Sequence, residues 1–207
     1  ALLCKIRTKA VDAVTSATGA LGKLTIEQGY EIRNIERIVV TGVGASRIHR
    51  DIFHIPTQRI EEVTAIGYGG KYLSKNDDII ITNIGTGTII IEANREGIFH
   101  VGGSGVGGGT IIGLSKILLN ISDFKNIMDL AAKGNLNQVD LTIQDIAETS
   151  ISFLREDATA ANFGKMLDTA TREDIALGII NMVFQVIGML SVFAARSRNK
   201  KSAVVTG

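Results

Sequence analysis

Two glycine-rich segments carry the residue types best suited to binding phosphate. Residues 102–109 read Gly-Gly-Ser-Gly-Val-Gly-Gly-Gly and open an apolar run that predicts a helix through Asn120. Glycines let amide N–H groups approach an anion, and a following helix adds the positive end of its dipole. Gly85-Thr86-Gly87-Thr88 predicts a hairpin tip with amide and hydroxyl donors. Two such loops indicate a nucleoside triphosphate, and the alternative for each is an ordinary glycine turn.

The first segment also matches a dinucleotide-binding pattern. Gly103-x-Gly105-x-x-Gly108 has the required spacing, with Asp123 downstream. That pattern needs a βαβ unit with the acid at the tip of its second strand. Here the incoming strand belongs to a predicted hairpin, and Asp123 lies between helical stretches. We therefore predict no NAD site, and no Walker A sequence is present.

A carboxylate pair, Glu61-Glu62, is the candidate for acid-base chemistry. Phosphoryl transfer to an alcohol needs positioning, charge neutralisation and a carboxylate near the attacking hydroxyl. Adjacent side chains point in different directions, so at most one of the two faces a substrate. The alternative is a solvated surface pair.

The elements that position these residues follow from hydrophobic period and turn residues. We predict a domain boundary near Asp77, which gives domains 1–77 and 78–207. Three short apolar runs joined by tight turns predict an antiparallel meander. Beyond residue 120 the chain is predicted to be mainly helical. The predicted elements are a helix over 9–28, a strand at 38–42, an extended stretch at 51–62, a helix over 63–73, the meander strands 79–84, 88–93 and 98–101, a helix to 120, a long helix over 175–195 and a buried strand at 203–207.

The long predicted helix could be either a membrane span or a core helix, because residues 175–195 contain no charge and are long enough to cross a bilayer core of about 30 Å. Asn181 and Gln185 lie one turn apart at its centre, and no aromatic belt flanks it. These features favour a buried core or interface helix over a membrane span. The basic residues of 196–201 suit its C-terminal end.

Composition excludes several classes of function. The 207 residues contain 22 Lys and Arg against 21 Asp and Glu, a net charge of +1, so no field is available to hold nucleic acid. The single cysteine, Cys4, excludes a disulfide framework and favours a cytoplasmic location. Ala1 is not a methionine, and the chain stops at Gly207 directly after a strand-like run. We therefore expect the protein to be incomplete at both termini.

An ordered series of motifs resembles the type II (staphylococcal and eukaryotic-like) pantothenate kinases, in the superfamily of acetate kinase, sugar kinases and actin-like ATPases. It covers nearly the whole chain. The matching segments are Val40-Thr41-Gly42-Val43-Gly44, Glu62-Val63-Thr64-Ala65 with Gly69, residues 83–88, residues 101–110, Ser122-Asp123-Phe124, residues 139–146 and residues 159–164.

This resemblance implies an α/β, actin-like ATPase (ribonuclease H-like) fold of two domains with mixed sheets flanked by helices. It implies a homodimer that phosphorylates pantothenate with ATP and Mg²⁺ in the first step of coenzyme A synthesis, with acyl-CoA as a feedback ligand. By position, Glu62 is the general base. The residues implied for ATP or phosphate are Gly85, Thr86, Gly87, Thr88, Gly107, Gly108, Gly109, Thr110, Ile111, Ile112 and Phe124, and those implied for the substrate are His100, Gly102 and Gly103.

Two departures from the family pattern qualify that assignment. His100 stands where the family usually has an arginine, and a histidine does not reproduce a fixed bidentate cation. The family's Asp-x-Gly-Gly-Thr hairpin, which helps place Mg²⁺, does not occur in this sequence, so no metal ligand is predicted and the chain alone is expected to be weakly active or inactive. The alternatives are a kinase of another small alcohol or sugar, and a non-catalytic nucleotide or acyl-CoA sensor.

Overall fold

The computed structural model describes residues 4–8, 12–147 and 155–207. They form two compact units, Ala1–Gly69 and Gly70–Gly207. The predicted boundary at Asp77 lies in the turn after helix α2 (Glu62–Ser74), and the units divide within that helix.

The first unit contains one long helix and a small parallel sheet. Its elements are α1 Ala13–Gln28, a 3₁₀ turn Ile32–Asn34, β1 Ile38–Val40, a 3₁₀ turn Val43–Arg47, β2 Thr57–Arg59 and the start of α2. The Asp12 side chain caps α1 by accepting the Thr15 amide hydrogen bond, and Gly29 ends the helix with φ +72°. β1 and β2 pair in parallel, with Ile38 opposite Thr57. The predicted helix is thus confirmed over 13–28, and residues 9–11 lie outside the described residues.

The second unit is built on a mixed four-stranded sheet. Its elements are β3 Ile79–Ile84, β4 Thr88–Ala93, β5 Ile98–Ser104, α3 Gly108–Leu119, α4 Phe124–Ala131, a 3₁₀ turn Leu136–Gln138, β6 Leu141–Thr142, α5 Ile143–Ile146, β7 Thr159–Ala161, α6 Arg172–Ser197 and β8 Ala203–Thr206. The strand order is β5-β4-β3-β8. The antiparallel meander of β3, β4 and β5 is confirmed, and β8 adds in parallel to β3. β5, the strand that enters the glycine segment, belongs to an antiparallel hairpin with β4, as predicted.

The core of this unit lies between the sheet and α6. Ile80 of β3 and Ile90 of β4 pack against Ala194 of α6. The Thr82 and Ser191 hydroxyls share a buried hydrogen bond of 2.8 Å across the same contact. The rest of this core is a larger apolar cluster formed by helices α3, α4 and α6. Its buried members are Ile111, Leu119, Ile127, Ala131, Ala176, Ile179, Ile180, Val183 and Ile187.

Helix α6 is a core helix with polar anchors. Among the described helices it alone is long and apolar enough to cross a membrane by length and composition, and 39% of its most apolar 18-residue window is buried inside the protein. The Asn181 side chain donates to Asp140 Oδ2 at 2.7 Å. The Gln185 side chain accepts a hydrogen bond from Asn162 at 3.2 Å. Asp140 directly precedes β6 and Asn162 directly follows β7. The side chains of Asn181 and Gln185 therefore connect α6 to the β6 and β7 pair.

One prediction for the C-terminal half is wrong, and a second is incomplete. Residues 203–206 form a strand, but they alternate between exposed and half-buried, and Val205 is 63% exposed, because β8 pairs with β3 alone in the described sheet. The predicted mainly helical stretch also contains the antiparallel pair β6 and β7. Strands of two and three residues are too short to show a period of two in the sequence.

Candidate functional site

The two glycine segments lie against each other at the start of α3. The Gly108 amide donates to the Gly85 carbonyl at 2.9 Å, and the Gly109 amide donates to the Thr86 carbonyl at 2.8 Å. The tip of the hairpin between β3 and β4 therefore rests directly on the first turn of α3. The sequence predicted two phosphate loops, and the structure joins them into one surface.

This contact requires glycine for close backbone approach. A Cβ on Gly107 would lie 2.6 Å from the carbonyl carbon and oxygen of Gly87, and a Cβ on Gly109 would lie 2.8 Å from Thr86 Cγ2. Real Cβ atoms do not approach backbone this closely. Packing is therefore sufficient to explain these two glycines.

The hydrogen-bond partners show which donors remain free for an anion. The Gly108 and Gly109 amides are engaged as above, and the Gly107 amide donates to Thr110 Oγ1 at 3.1 Å. The convergence of these three amides on an anion, which the sequence predicted, is not observed. By contrast, the amides of Thr86 and Gly87 donate to no acceptor within the described residues. Both of these amides lie at the hairpin tip.

The three threonines of the site also differ in whether their hydroxyl groups have a hydrogen-bond partner in the protein. The buried Thr88 hydroxyl donates to the Val106 carbonyl at 2.8 Å. The Thr110 hydroxyl donates to the Gly105 carbonyl at 3.1 Å and accepts the Gly107 amide. Thr86 is exposed, and its hydroxyl makes no hydrogen bond to the part of the chain that the structure describes. Thr88 and Thr110 fasten the loop, whereas Thr86 offers a donor to solvent.

A cavity of about 530 Å³ opens beside this tip. Its lining residues are Ile84, Gly85, Gly108, Ile111, Phe124, Phe184, Val205, Thr206 and Gly207. Four of them, Gly85, Gly108, Ile111 and Phe124, were predicted as nucleotide residues. Phe184 of α6 and the segment 205–207 were missed. Phe184 lies in the uncharged run of residues 175–195, where the sequence does not distinguish a cavity-lining ring from a core ring.

The other predicted ATP and substrate residues lie outside that cavity. Ile112 is exposed on a different side of α3 from Ile111, since adjacent helix residues differ by about 100°. His100 of β5 is exposed and pairs with Ile91, whereas Ile90 pairs with Gly102, so β5 carries a bulge at Val101. A bulge bends a strand and re-aims its side chains.

Gly103 serves the sheet itself. A Cβ at this position would lie 2.6 Å from the Thr88 carbonyl oxygen. The role of His100, Gly102 and Gly103 in substrate binding stays a prediction.

The two carboxylates of the predicted catalytic pair differ in their contacts. Glu62 is the first residue of α2 and is exposed, and its side chain makes no hydrogen bond to the described residues. Glu61 lies within 3.5 Å of the Thr64 hydroxyl. Glu62 belongs to the first unit and the hairpin tip to the second. The predicted approach of Glu62 to the phosphate loop stays a prediction.

Metal-binding residues are not grouped in the described ranges. Across residues 4–8, 12–147 and 155–207, no three His, Cys, Asp or Glu side chains lie together so that they could hold a metal ion.

Comparison with solved structures shows the fold. The activator of 2-hydroxyisocaproyl-CoA dehydratase from Clostridium difficile, with bound ADPNP, matches 94% of this chain and 76% of its own length at TM-score 0.56 and 19% identity. Component A of (R)-2-hydroxyglutaryl-CoA dehydratase from Acidaminococcus fermentans matches 94% and 70% at TM-score 0.58 and 15% identity. The chain has the actin-like ATPase fold, as predicted.

Comparison of sequences shows the family. The model of the Fumble family matches residues 78–207. A type II pantothenate kinase of Bacillus cereus (strain G9842) is 34% identical over 183 residues, which are 84% of this chain and 67% of that relative. One of Staphylococcus saprophyticus is 38% identical over 135 residues, which are 63% of this chain and 51% of that relative. The chain belongs to the Fumble family of type II pantothenate kinases.

Proposed function

We propose that this chain carries the ATP-dependent phosphorylation of the pantothenate hydroxyl to 4′-phosphopantothenate, the first step of coenzyme A biosynthesis. The observation that carries the proposal is the hairpin tip, where Thr86 and Gly87 have open amides and Thr86 an open hydroxyl within the described residues. The adjacent Gly85 lines a cavity together with two phenylalanines. Membership in a family whose curated relatives are named type II pantothenate kinases supplies the reaction class.

ATP is proposed to bind with its phosphates at the tip and its base in the cavity. Amide and hydroxyl donors suit phosphate oxygens. The rings of Phe124 and Phe184, with Ile111, offer an apolar enclosure for a planar base. Phe184 thereby joins the nucleotide residues implied by the family, and Thr86 carries the phosphate contact in place of Thr88 and Thr110.

Glu62 is proposed as the general base. Its carboxylate would take the proton of the pantothenate hydroxyl as that oxygen forms a bond to the γ-phosphorus and the bond to the leaving ADP oxygen breaks. Its lack of a protein partner in the described chain leaves it available, whereas Glu61 contacts Thr64. The ATP is proposed to carry Mg²⁺, and the described residues assign no step to that ion.

His100 favours one alternative, a kinase of another small alcohol or sugar. It occupies an exposed position before the bulge of β5, where a neutral or cationic ring donates fewer hydrogen bonds than a guanidinium. A substrate panel of pantothenate, pantetheine and simple sugars distinguishes a pantothenate kinase from a kinase of another small alcohol or sugar. The proposal expects phosphorylated product from pantothenate.

The association state and location are also proposals. Exposed apolar side chains run along one side of α6, at Val186, Met189, Val192 and Phe193. We propose that this face pairs with a second copy in a cytoplasmic homodimer, and that acyl-CoA competes for the nucleotide cavity as a feedback ligand.

The test compares Glu62→Gln with its neighbour control Glu61→Gln in the whole protein, using ATP, Mg²⁺ and radiolabelled pantothenate. Loss of a general base lowers the rate by about 10²- to 10⁴-fold. We expect that loss in Glu62→Gln, with ATP binding retained, and a rate near that of the unsubstituted chain in Glu61→Gln. A near-normal rate in Glu62→Gln contradicts the assignment. Stabilisation by ATP without any phosphorylated product favours the non-catalytic sensor.

A further inference from the structure

The first unit contains a charged cavity whose lining residues have no role in the proposed reaction. Its volume is about 630 Å³, and it lies among the ends of β1 and β2 and the segment that joins them. The lining residues are Val40, Ile48, His49, Arg50, Asp51, His54, Thr57 and Arg59. None of them lines the cavity beside Phe124.

Among the residues that the structure describes, the two arginines of this cavity have no ion-pair partner. Within the described residues, neither Arg50 nor Arg59 lies within 4 Å of a carboxylate oxygen. The one acid in the lining, Asp51, accepts the Thr57 amide at 2.8 Å through Oδ1. Two guanidinium groups and two imidazoles therefore face one space with a single carboxylate.

Arg59 is held in position. One of its terminal nitrogens donates to the Ile48 carbonyl at 3.0 Å. A guanidinium has five N–H donors in a planar fork, so this bond leaves the others for a ligand. A cation fixed by its own backbone contact loses less side-chain freedom when it binds an anion.

The turn that carries His54 has an unusual backbone. Phe53 and His54 have φ of +53° and +62°, and the Ile55 amide closes the turn on the Ile52 carbonyl at 3.0 Å. Non-glycine residues rarely adopt this region, and two in succession are rarer. Ile52 and Ile55 are both buried and anchor the turn from either side. Strained turns of this kind concentrate at ligand sites.

We propose that this cavity binds a small phosphate monoester. Arginine forks match the oxygens of a phosphate dianion, and charge-assisted hydrogen bonds of this type are the stronger ones in proteins. The apolar wall of Val40 and Ile48 suits the organic part of such a molecule. The volume falls within the range of small-molecule sites.

The experiment measures binding of glycerol 3-phosphate and of inorganic phosphate to the chain by calorimetry at fixed ionic strength. The variants are Arg50→Gln and Arg59→Gln, and the control is Arg47→Gln, a neighbouring cation outside the cavity lining. We expect the dissociation constant for glycerol 3-phosphate to rise at least tenfold in both cavity variants and less than twofold in the control. Circular dichroism checks the fold of Arg59→Gln, which loses its bond to Ile48. Arg50 makes no hydrogen bond to the described residues, so Arg50→Gln tests the site without that complication.

Several outcomes overturn the proposal. These are no saturable binding, equal weakening in all three variants, and inorganic phosphate bound as tightly as the monoester. Weakening by Thr86→Val would place the ligand at the hairpin tip of the second unit. Displacement of the monoester by pantothenate would make the cavity part of the substrate site. The proposed kinase function is tested separately, by the formation of phosphorylated product from pantothenate.

Discussion

The amide of Gly109 donates a 2.8 Å hydrogen bond to the carbonyl of Thr86. This bond joins the first turn of α3 to the tip of the β3 and β4 hairpin. It uses an amide that would otherwise be unsatisfied at the helix N-terminus. The hairpin tip is thereby fixed to a helix, and its own open amides project from a supported turn.

Gly109→Ala is expected to damage this contact. The new methyl would lie 2.8 Å from Thr86 Cγ2 and 2.9 Å from the Thr86 carbonyl oxygen. Overpacking against backbone costs about 1–3 kcal/mol, so urea denaturation should show that loss together with weaker ATP binding. The control is Gly113→Ala on the same helix, where nothing lies within 4 Å of the added Cβ. That change should stabilise the protein by about 0.5–1 kcal/mol. Equal effects of the two substitutions would show that the contact does not matter.

Thr86→Val and Thr88→Val should separate function from stability. Thr86 is exposed and without a partner in the described chain, so its loss should lower kcat/KM for ATP about tenfold, which corresponds to about 1.4 kcal/mol, and leave the free energy of unfolding unchanged. Thr88 donates to Val106 from a buried position. Its loss should cost about 1–3 kcal/mol of stability by leaving that carbonyl unsatisfied.

Thr86→Ser provides the check for this pair, since it keeps the hydroxyl and should retain ATP turnover. The measurements are initial rates against ATP concentration and urea denaturation midpoints. A Thr88→Val protein of normal stability with poor ATP turnover would reverse the roles assigned to the two threonines.

The sequence predicted most of the architecture, because the period of apolar residues and the positions of glycines are local signals. It predicted the meander of β3, β4 and β5, and the helix after it. It also predicted that Asn181 and Gln185 make a membrane span unfavourable, and both side chains have polar partners in the fold. The edge position of β8 was not predictable, because valines such as Val204 and Val205 are common in both central and edge strands.

The sequence did not predict which glycine amides are free. The same glycine pattern at residues 102–109 is compatible with two arrangements. Its N–H groups can donate to a bound anion, or they can donate to the carbonyls of Gly85 and Thr86, as observed. That distinction depends on contacts between segments more than 20 residues apart. Phe184 was missed for a related reason, since its position at a cavity wall depends on how α6 packs and not on its neighbours in the chain.

The exposed side of α6 is expected to mediate dimer formation. Met189 and Phe193 are 52% and 55% exposed and lie one turn apart. A charge at either position would have to be buried without a partner in the interface, which is costly. Met189→Glu should therefore shift the protein to monomer in light scattering after gel filtration. Ile117→Glu on α3, where the side chain is 79% exposed, is the control and should leave the mass unchanged. A monomeric unsubstituted chain would contradict the dimer.

Asp145 is expected to make stability depend on pH under acidic conditions. Its carboxylate bonds Lys165 Nζ at 2.6 Å, the Thr142 amide at 2.9 Å and the Thr142 hydroxyl at 2.8 Å. The Lys165 contact first, and then the Thr142 donors, lower the pKa of Asp145 from 3.8 to about 2. A carboxyl whose pKa is lower in the folded state stabilises the fold above pH 3.8, and this contribution is lost as pH falls towards 2.

The melting temperature of the unsubstituted chain should therefore exceed that of Asp145→Asn at pH 5, and the difference should shrink between pH 4 and pH 2. Asp129→Asn removes a more exposed carboxylate that pairs with Lys125, so its difference should be small at every pH, because exposed pairs contribute little. A difference for Asp145→Asn that stays constant down to pH 2 would show that the lost packing of the side chain, and not its charge, is what the substitution removes.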